Sequence, residues 1–296
     1  MGLAAPLVQV WLNGVPAGGA YSLAALGFIV IYRAAGFLHF AHGSLYTLAA
    51  YLFFGLWSIA RVPMVAALGL AVVLTAGAGA LLDMSLHPHL PSRGPSPLVL
   101  LLASIGVATV IQNLLPIVFG DATLTVRRGF VGAGYLVGGA RIAGAQVATI
   151  VVAGILCAAL WVTIYRTRIG LAFRAISVDR ELGDLSGISA ARVTTLSFAV
   201  GSGLAAVSAC LTALQFDITP GMGMPALLVA LVAMIAGGRE SLVGAVLAGL
   251  GIGLLENVAS LVVGARWQEA AVYGLLLGVL LVRPLGLLSR SSGRLG

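Results

Sequence analysis

The amino-acid sequence predicts an all-α, polytopic helical membrane protein with about nine transmembrane segments, within a range of roughly eight to ten. Hydrophobic residues make up 60% of the 296 residues and charged residues 8%, and the mean hydropathy is +1.10. Long apolar runs separate the sparse charges, and each span needs about 20 such residues to cross the hydrocarbon core. The runs lack period-two alternation, which favours helices over a β-barrel.

The expected spans follow the apolar runs in order. They are residues 8–33, 37–57, 63–82, 97–119, 142–165, 193–214, 224–236, 242–263 and 267–282. The run 224–236 is too short to cross untilted, so a half-helix or a tilted helix is expected there. No basic region precedes the first apolar run, which indicates a first span and not a cleaved signal peptide. The spans form a single transmembrane domain, 1–296.

Residues 165–192 form a polar segment in this apolar chain. Its charged residues are Arg166, Arg168, Arg174, Asp179, Arg180, Glu181, Asp184 and Arg192. A membrane protein places such a segment outside the bilayer, and the segment is too short to form a domain of its own. We therefore expect a cytoplasmic docking loop for a soluble partner. Within it, residues 179–188 are expected to form a short helix that Gly187 ends, because glycine accepts the left-handed conformation past a helix end.

The distribution of arginines predicts the orientation in the membrane. With the polar segment in the cytoplasm, alternation of the spans puts the N-terminus outside and the C-terminus, from Arg283 onward, inside. Eleven arginines then lie inside and five outside, in agreement with the positive-inside rule. Arg127 and Arg128 are among the five. They fall in the Gly-rich segment 120–140, which is expected to run in extended form over the outer surface.

Several function classes are disfavoured. The net charge is +7, but there is no lysine and no basic run with interleaved aromatic residues, so nucleic acid is not an expected partner. The sequence has no GxxxxGK[ST], no HExxH and no Cys/His spacing typical of zinc, so no catalytic residue, cofactor or metal is expected. Cys157 and Cys210 lie in apolar spans and are expected to be small buried side chains.

The stretch GFLHFAHGSLYTLAAY, residues 36–51, is the best candidate for a transport pathway. A histidine pair, a glycine and a serine at the start of a span cost free energy unless they serve a purpose. We expect the second span to break near His42–Gly43, so that Phe40, His42, Gly43 and Ser44 line a polar route. In the alternatives, the stretch merely begins at the membrane interface, or His42 caps a neighbouring helix and touches no cargo.

Other polar side chains are expected at membrane depth. Gln112 and Asn113 fall in the fourth span, and Glu256 falls near the outer end of the span 242–263. Polar and ionisable groups inside a membrane are candidates for function, so these three residues join the expected pathway. The glycine-rich run 244–253 is expected to serve helix packing.

Several motifs resemble the permeases of branched-chain amino acid ABC transporters, specifically the H-type membrane subunit. The first is ALGFIVIYRAAGFLHFAHGSLYTLAAY; the others are FRAISVDRELGDLSGISAARV, AGGRESLVGAVLAGLGIGLLE and VRPLGLL. They occur in the family's order between Leu26 and Leu288 and so cover nearly the whole chain. Two departures are His39, where the family usually has Asn, and Leu182-Gly183, where it tends to have small or Ala residues after the glutamate.

The resemblance implies an importer subunit in a bacterial inner membrane. Its expected partners are a homologous second permease, two cytoplasmic ATPases, an external solute-binding protein and the lipid bilayer. The polar segment would then be the coupling loop, with ATPase contacts from Arg174, Asp179, Arg180, Glu181, Asp184, Gly187 and Ile188. The cargo would be a branched-chain amino acid or a related small polar solute such as urea, a short amide or another amino acid.

A self-sufficient secondary carrier or channel is the alternative function. An ion-coupled carrier is expected to hold several buried acids near the midplane and a two-fold repeat of broken helices. This chain offers essentially Glu256, which favours the ABC permease. A third alternative, an intramembrane enzyme, is not supported by any set of candidate catalytic residues in the sequence.

Overall fold

The computed structural model describes residues 4–86, 96–126, 134–137 and 139–282. Helices dominate this part of the chain. They are α1 Ala4–Ala35, α2 Ala41–Phe54, α3 Met64–Leu86, α4 Pro97–Phe119, α5 Gly144–Arg166, α6 Arg168–Val178, α7 Arg180–Leu185, α8 Ala190–Ala213, α9 Gly223–Gly237, α10 Leu242–Val262 and α11 Gln268–Val282. A π-helical turn, Gly55–Ile59, continues α2, and a 3-10 turn, Ala265–Trp267, precedes α11.

Among the described residues, six helices are long and apolar enough to cross a membrane: α1, α3, α4, α5, α8 and α10. The other three expected spans correspond to the shorter helices α2, α9 and α11. The count of about nine spans is therefore not confirmed. The positions of the apolar helices nevertheless follow the expected apolar runs closely. The reason is that the helices end at the polar residues and glycines that separate those runs.

The segment between α4 and α5 contains a small antiparallel hairpin. Strands β1 (Gly134–Val137) and β2 (Ala140–Ala143) pair with Tyr135 opposite Ile142. The chain before the hairpin is tied to the bundle where Leu124 pairs with Ile218. The extended excursion expected over residues 120–140 contains β1, whereas β2 runs past it to Ala143, so α5 begins at Gly144, two residues later than the expected span. Arg127 and Arg128 lie outside the described residues.

Helices α1 and α8 form the centre of the bundle, and α4 lies at its edge. The most apolar part of α1 is 83% buried within the chain and that of α8 is 78% buried, whereas the corresponding part of α4 is 11% buried. Glycines permit the close central packing: a Cβ on Gly27 would collide with the carbonyl of Gly201 on α8, and one on Gly18 would lie 2.6 Å from the Cα of Leu250 on α10. This packing needs no hydrophobic driving force between helices.

Polar contacts show which connecting segments lie at the same end of the bundle. At one end, Arg33 of α1 donates to the carbonyl of Glu240, and Thr195 at the start of α8 donates to Asp83 of α3. At the other end, Gln9 near the start of α1 donates to the carbonyl of Arg141. The polar segment 165–192 therefore lies at the end opposite to the start of α1.

Candidate functional site

Helix α2 begins deep inside the bundle. Gly36, with φ 77°, ends α1, and residues 36–40 are not helical. His42 in the first turn of α2 lies beside Ala24, which is about three helical turns before the end of α1. The break predicted at His42–Gly43 is not confirmed, because both residues lie in the continuous helix α2. The non-helical residues precede them.

His42 is packed against α1. Its side chain is 1% exposed, its Nε2 lies 3.3 Å from the carbonyl oxygen of Ala24, and its ring meets Phe28 edge-to-face at 5.6 Å between centroids. Among the described residues, Nδ1 has no hydrogen-bond partner. The ring thus contacts the side of α1 while one of its polar atoms is unsatisfied.

His39 is buried in the same region and is less well satisfied. It is 1% exposed, and neither ring nitrogen has a partner within the described part of the chain. Its ring lies 4.8 Å from that of Phe198 on α8 and 6.0 Å from that of Phe37. A buried polar atom left without a partner costs about 1–3 kcal/mol. Two histidines here therefore hold three such nitrogens between α1 and α8.

The first turns of α2 and α9 meet at two glycines. A Cβ on Gly43 would lie 2.7 Å from the carbonyl oxygen of Gly223, and a Cβ on Gly223 would collide with the carbonyl oxygen of Gly43. Both helices start without a side-chain cap, at Phe40 and Met222. Helix starts carry partial positive charge, so two of them together favour a carboxylate nearby. The backbones touch in this conformation and leave no room for a solute between them.

Helix α4 covers the start of α2 from the edge of the bundle. The backbone N–H of Phe40 donates to Ser104 Oγ at 3.1 Å, and Ser44 Oγ donates to the carbonyl of Ala108 at 3.0 Å. About one turn further along α4, Gln112 and Asn113 are exposed on the surface of this chain. Asn113 Nδ2 donates to the carbonyl of Thr109 within the helix.

The structure brings part of the expected pathway together. Phe40, His42, Gly43 and Ser44 are contiguous at the start of α2, and Gln112 and Asn113 lie on the neighbouring α4. Glu256 lies elsewhere, on α10, a helix that packs chiefly on α1, α9 and α11. There its Oε2 accepts a hydrogen bond of 2.7 Å from the hydroxyl of Tyr21 on α1.

The polar segment contains two helices, α6 and α7, where the sequence predicted one. Thr167 caps the start of α6 through its side chain, 3.1 Å from the N–H of Gly170. Asp179 caps α7 in the same way, accepting from the N–H groups of Glu181 and Leu182. Side-chain caps of this kind satisfy N–H groups that the helix itself leaves unpaired. They explain why the helices start at these points.

Gly187 ends α7 as expected, although α7 is shorter than residues 179–188. Gly187 has φ 81°. Its N–H donates to the carbonyl of Asp184, and the N–H of Ile188 donates to the carbonyl of Gly183, both at 3.0 Å. This pair of bonds is the Schellman arrangement, in which a glycine in the left-handed conformation closes the helix.

The expected docking residues fall into two groups. Arg180 and Glu181 are exposed on α7. Asp179 and Asp184 are exposed as well, but both also bond to local backbone. Asp179 caps α7, and Asp184 Oδ1 accepts from the N–H of Ala190 at 2.7 Å, which ties α7 to the start of α8. Arg174 on α6 lies over the ring of Tyr165, with its guanidinium carbon 5.6 Å from the ring centroid.

Sequence reasoning missed the attachment of α6 to the bundle. Gly170 fits against the backbone carbonyls of Thr163 and Ile164 at the end of α5, and Phe173 and Ile176 are buried. Apolar residues at positions 173 and 176 are a helical signal within the polar segment. Their partners on other helices are far apart in sequence and have no local signature.

Comparisons with known proteins agree over nearly the whole chain. A family model described as "Branched-chain amino acid transport system / permease component" matches residues 11–282. The high-affinity branched-chain amino acid transport system permease protein BraD of Pseudomonas aeruginosa is 32% identical, with 96% of each chain covered. The corresponding protein LivH of Escherichia coli is 30% identical, with the same coverage.

One comparison with solved structures is weaker. A chain of the structure described as "PsaBC from Streptococcus pneumoniae in complex with Fab" superposes with a TM-score of 0.49 at 12% identity. The superposition covers 95% of this chain and 91% of that one.

Proposed function

The chain belongs to the family of permease components of branched-chain amino acid transport systems, and on that basis we propose that it provides the membrane pathway of an ABC importer for branched-chain amino acids or a related small polar solute. The observation that carries the proposal is the match over 96% of this chain and 96% of each of two relatives, both permease proteins of high-affinity branched-chain amino acid transport systems. The protein is a transport subunit and not an enzyme. ATP hydrolysis falls to separate ATPase subunits.

The test is uptake by the complete transporter in liposomes. This chain is reconstituted with the proposed second permease, ATPases and solute-binding protein, and labelled leucine, isoleucine and valine are supplied with the binding protein. We expect uptake only when ATP is supplied on the side of the liposome membrane that carries the ATPases. Uptake that follows an ion gradient and ignores ATP would establish the secondary carrier instead. Urea and short amides in the same assay test the related cargoes.

We propose that cargo passes beside the start of α2, at Phe40, His42, Gly43 and Ser44. Support comes from the two helix starts without side-chain caps that meet at Gly43 and Gly223, because their dipoles favour the carboxylate of an amino acid. The unsatisfied imidazole nitrogens of His39 and His42 add polar groups to the same region. Since the backbones touch here, the route opens when α2 and α9 separate.

A homologous second permease is proposed to cover the exposed face of α4. Within the described residues, α4 is the least buried of the long apolar helices, yet Gln112 and Asn113 are exposed on it. Polar side chains at membrane depth seldom face lipid and commonly face a partner or an aqueous route. Gln112 and Asn113 are therefore proposed to reach the pathway from the boundary between the two permeases.

Glu256 lies on α10, apart from the proposed pathway residues of α2 and α4. Its bond to Tyr21 places the carboxylate between α1 and α10. A role in transport requires that this bond open during the cycle. Replacement by Gln keeps the shape and a hydrogen-bonding group, so a change in uptake without a change in the amount of protein would support the role. A loss of protein in the membrane would indicate packing instead.

We also propose that two ATPases dock on α6 and α7 and that the solute-binding protein docks at the opposite end of the bundle. Support comes from the separation of the polar contacts into two ends, with the polar segment opposite the start of α1. The arginine distribution then puts α6 and α7 in the cytoplasm and the start of α1 outside. Arg283 and the rest of the C-terminal tail are outside the described residues and are placed inside by alternation. The membrane is proposed to be the bacterial inner membrane.

A further inference from the structure

Arg33 joins three elements at the end of the bundle that carries α6 and α7. It lies in the last turn of α1. Its Nη1 donates to the carbonyl oxygen of Glu240 at 3.2 Å, and its guanidinium carbon lies 5.4 Å from the centroid of the Phe173 ring. One half-buried side chain therefore contacts α6 and the turn between α9 and α10 at the same time.

A continuous set of contacts leads from the exposed surface of α7 to this residue. A Cβ on Gly183 of α7 would collide with the Ile176 side chain on α6, so these two helices are in close contact. One turn earlier on α6, Phe173 is 5% exposed and packs in the main hydrophobic cluster with Ala34 of α1 and Ile164 of α5. Helix α7 is thus in contact with the helix that carries the ring under Arg33.

Arg33 is also linked to both helices that meet at the candidate site, to α2 along the chain and to α9 through Glu240. Three residues after it, Gly36 ends α1, and residues 36–40 lead directly into α2. Its other partner, Glu240, lies in the turn that follows the C-terminal end of α9. The opposite end of α9 is Gly223, which packs against Gly43 of α2.

We propose that Arg33 is a positioning residue that links movement of α6 and α7 to the separation of α2 from α9. The inference rests on the proposed function, since it assigns the link between ATPase docking and the transport route. The guanidinium suits this task because its planar charge lies over an aromatic face while its edge still donates hydrogen bonds. Loss of the link leaves the ATPases docked and active but less able to drive cargo across.

The experiment measures the number of ATP molecules hydrolysed per cargo molecule imported by the complete transporter in liposomes. Wild type is compared with Arg33→Ala, Arg33→Lys, Phe173→Leu and the double variant Arg33→Ala/Phe173→Leu. We expect Arg33→Ala and Phe173→Leu each to raise this ratio roughly five-fold, the equivalent of a cation–π contact. The double variant is expected to be no worse than Arg33→Ala, because partners in one contact do not act additively. Arg33→Lys keeps the charge and a donor and should recover part of the coupling.

Controls separate coupling from assembly. Arg192→Ala removes an exposed arginine from the first turn of α8, at the same end of the bundle, and should leave the ratio unchanged. Co-purification of the ATPases with each variant should equal that of wild type. If Arg33→Ala fails to assemble, the ratios of Phe173→Leu and Arg33→Lys are compared with that of wild type instead.

Two results would overturn the inference: an unchanged ratio in Arg33→Ala, or a double variant whose effect is the product of the two single effects. Failure of the proposed function is distinct, because the wild-type transporter would then show no ATP-dependent uptake at all.

Discussion

At the scale of single residues, the start of α2 combines unsatisfied polar atoms with very close backbone packing. The imidazoles of His39 and His42 are buried with three unpartnered nitrogens among the described residues, while Gly43 and Gly223 touch through their backbones. Buried polar groups are nearly always paired in folded proteins. Under the proposed function, this combination corresponds to a closed route that becomes polar when it opens.

His42→Ala is expected to lower the rate of cargo uptake roughly two- to ten-fold, the range for loss of one hydrogen bond to a solute. The amount of assembled complex should stay near that of wild type, because the ring makes one polar contact in the bundle, at 3.3 Å to Ala24. Labelled-leucine uptake and the yield of purified complex measure the two effects. Phe28→Leu serves as the packing control, since it removes the ring against His42 and keeps the imidazole. Full uptake by His42→Ala would leave a structural role, such as capping, as the explanation for this residue.

Gly43→Ala is expected to destabilise the protein. A Cβ at Gly43 would lie 2.7 Å from the Gly223 carbonyl oxygen and 3.0 Å from the Leu227 Cβ, so α2 and α9 must move apart. Overpacking of this kind costs about 1–3 kcal/mol. The matched control is Gly69→Ala on α3, where a Cβ would meet nothing within 4 Å and alanine favours the helix. Thermal unfolding in detergent compares the two, and equal midpoints would contradict the close packing at Gly43.

At the scale of elements, α7 is held by its own caps and presents charge on its surface. Asp179 caps its start, Gly187 closes its end and Asp184 binds the N–H of Ala190. These bonds hold the helix in place. Arg180, Glu181 and Asp184 are all exposed charged residues of α7, but Asp184 is already bonded to the backbone of Ala190. Replacing Glu181 and Asp184 together would mix two effects, because Asp184 also has this structural bond.

Glu181→Arg is therefore the sharper test of ATPase docking. The charge reversal leaves the caps intact and is expected to reduce co-purification of the ATPase at least roughly five-fold, since like charges across an interface oppose binding. Transport should fall in proportion, while the permease stays in the membrane. The matched variant Asp184→Asn tests the structural bond separately and should act on the yield of the permease. Normal transport by Glu181→Arg, and by the double variant with Asp184→Arg, would argue strongly against docking on α7.

At the scale of the whole molecule, one topology accommodates both the arginine distribution and the polar contacts. Arg33, Glu240 and the helices α6 and α7 share one end, and Gln9 and Arg141 share the other. The arginines expected in the cytoplasm include Arg33 and those of the polar segment. The packing of the bundle therefore groups the connecting segments at its two ends in the way that the predicted orientation requires.

Cysteine labelling in intact cells tests this orientation after Cys157 and Cys210 are replaced by alanine. Arg266→Cys in the 3-10 turn before α11 is expected to react with an impermeant maleimide from outside, and Ser186→Cys after α7 is expected to stay unlabelled until the cells are opened. Both positions are exposed. Gly2→Cys and Ser292→Cys extend the test to the two termini, which lie outside the described residues. The opposite topology would be indicated if Ser186→Cys or Ser292→Cys were labelled from outside while Arg266→Cys and Gly2→Cys were not.

The sequence by itself determined the family, the helical class and the positions of most helices. Span lengths and interruptions are local properties: α4 occupies Pro97–Phe119 as expected, because hydrocarbon thickness sets the length of an apolar run. The closure of α7 by Gly187 is likewise local, since it depends on the backbone freedom of one residue. The polar segment could likewise be recognised from its charges alone, because charge density is also a local property of the sequence.

The tertiary structure decided which residues meet. The contact of Gly43 with Gly223, the bond of Tyr21 to Glu256 and the position of Arg33 on Phe173 join residues more than a hundred positions apart. Helix packing in a membrane depends on shape and small residues more than on hydrophobicity. Many pairings of apolar helices are therefore compatible with one hydropathy pattern. The start of α2 at Ala41 and the place of Glu256 away from α2 follow from the packing that this chain adopts.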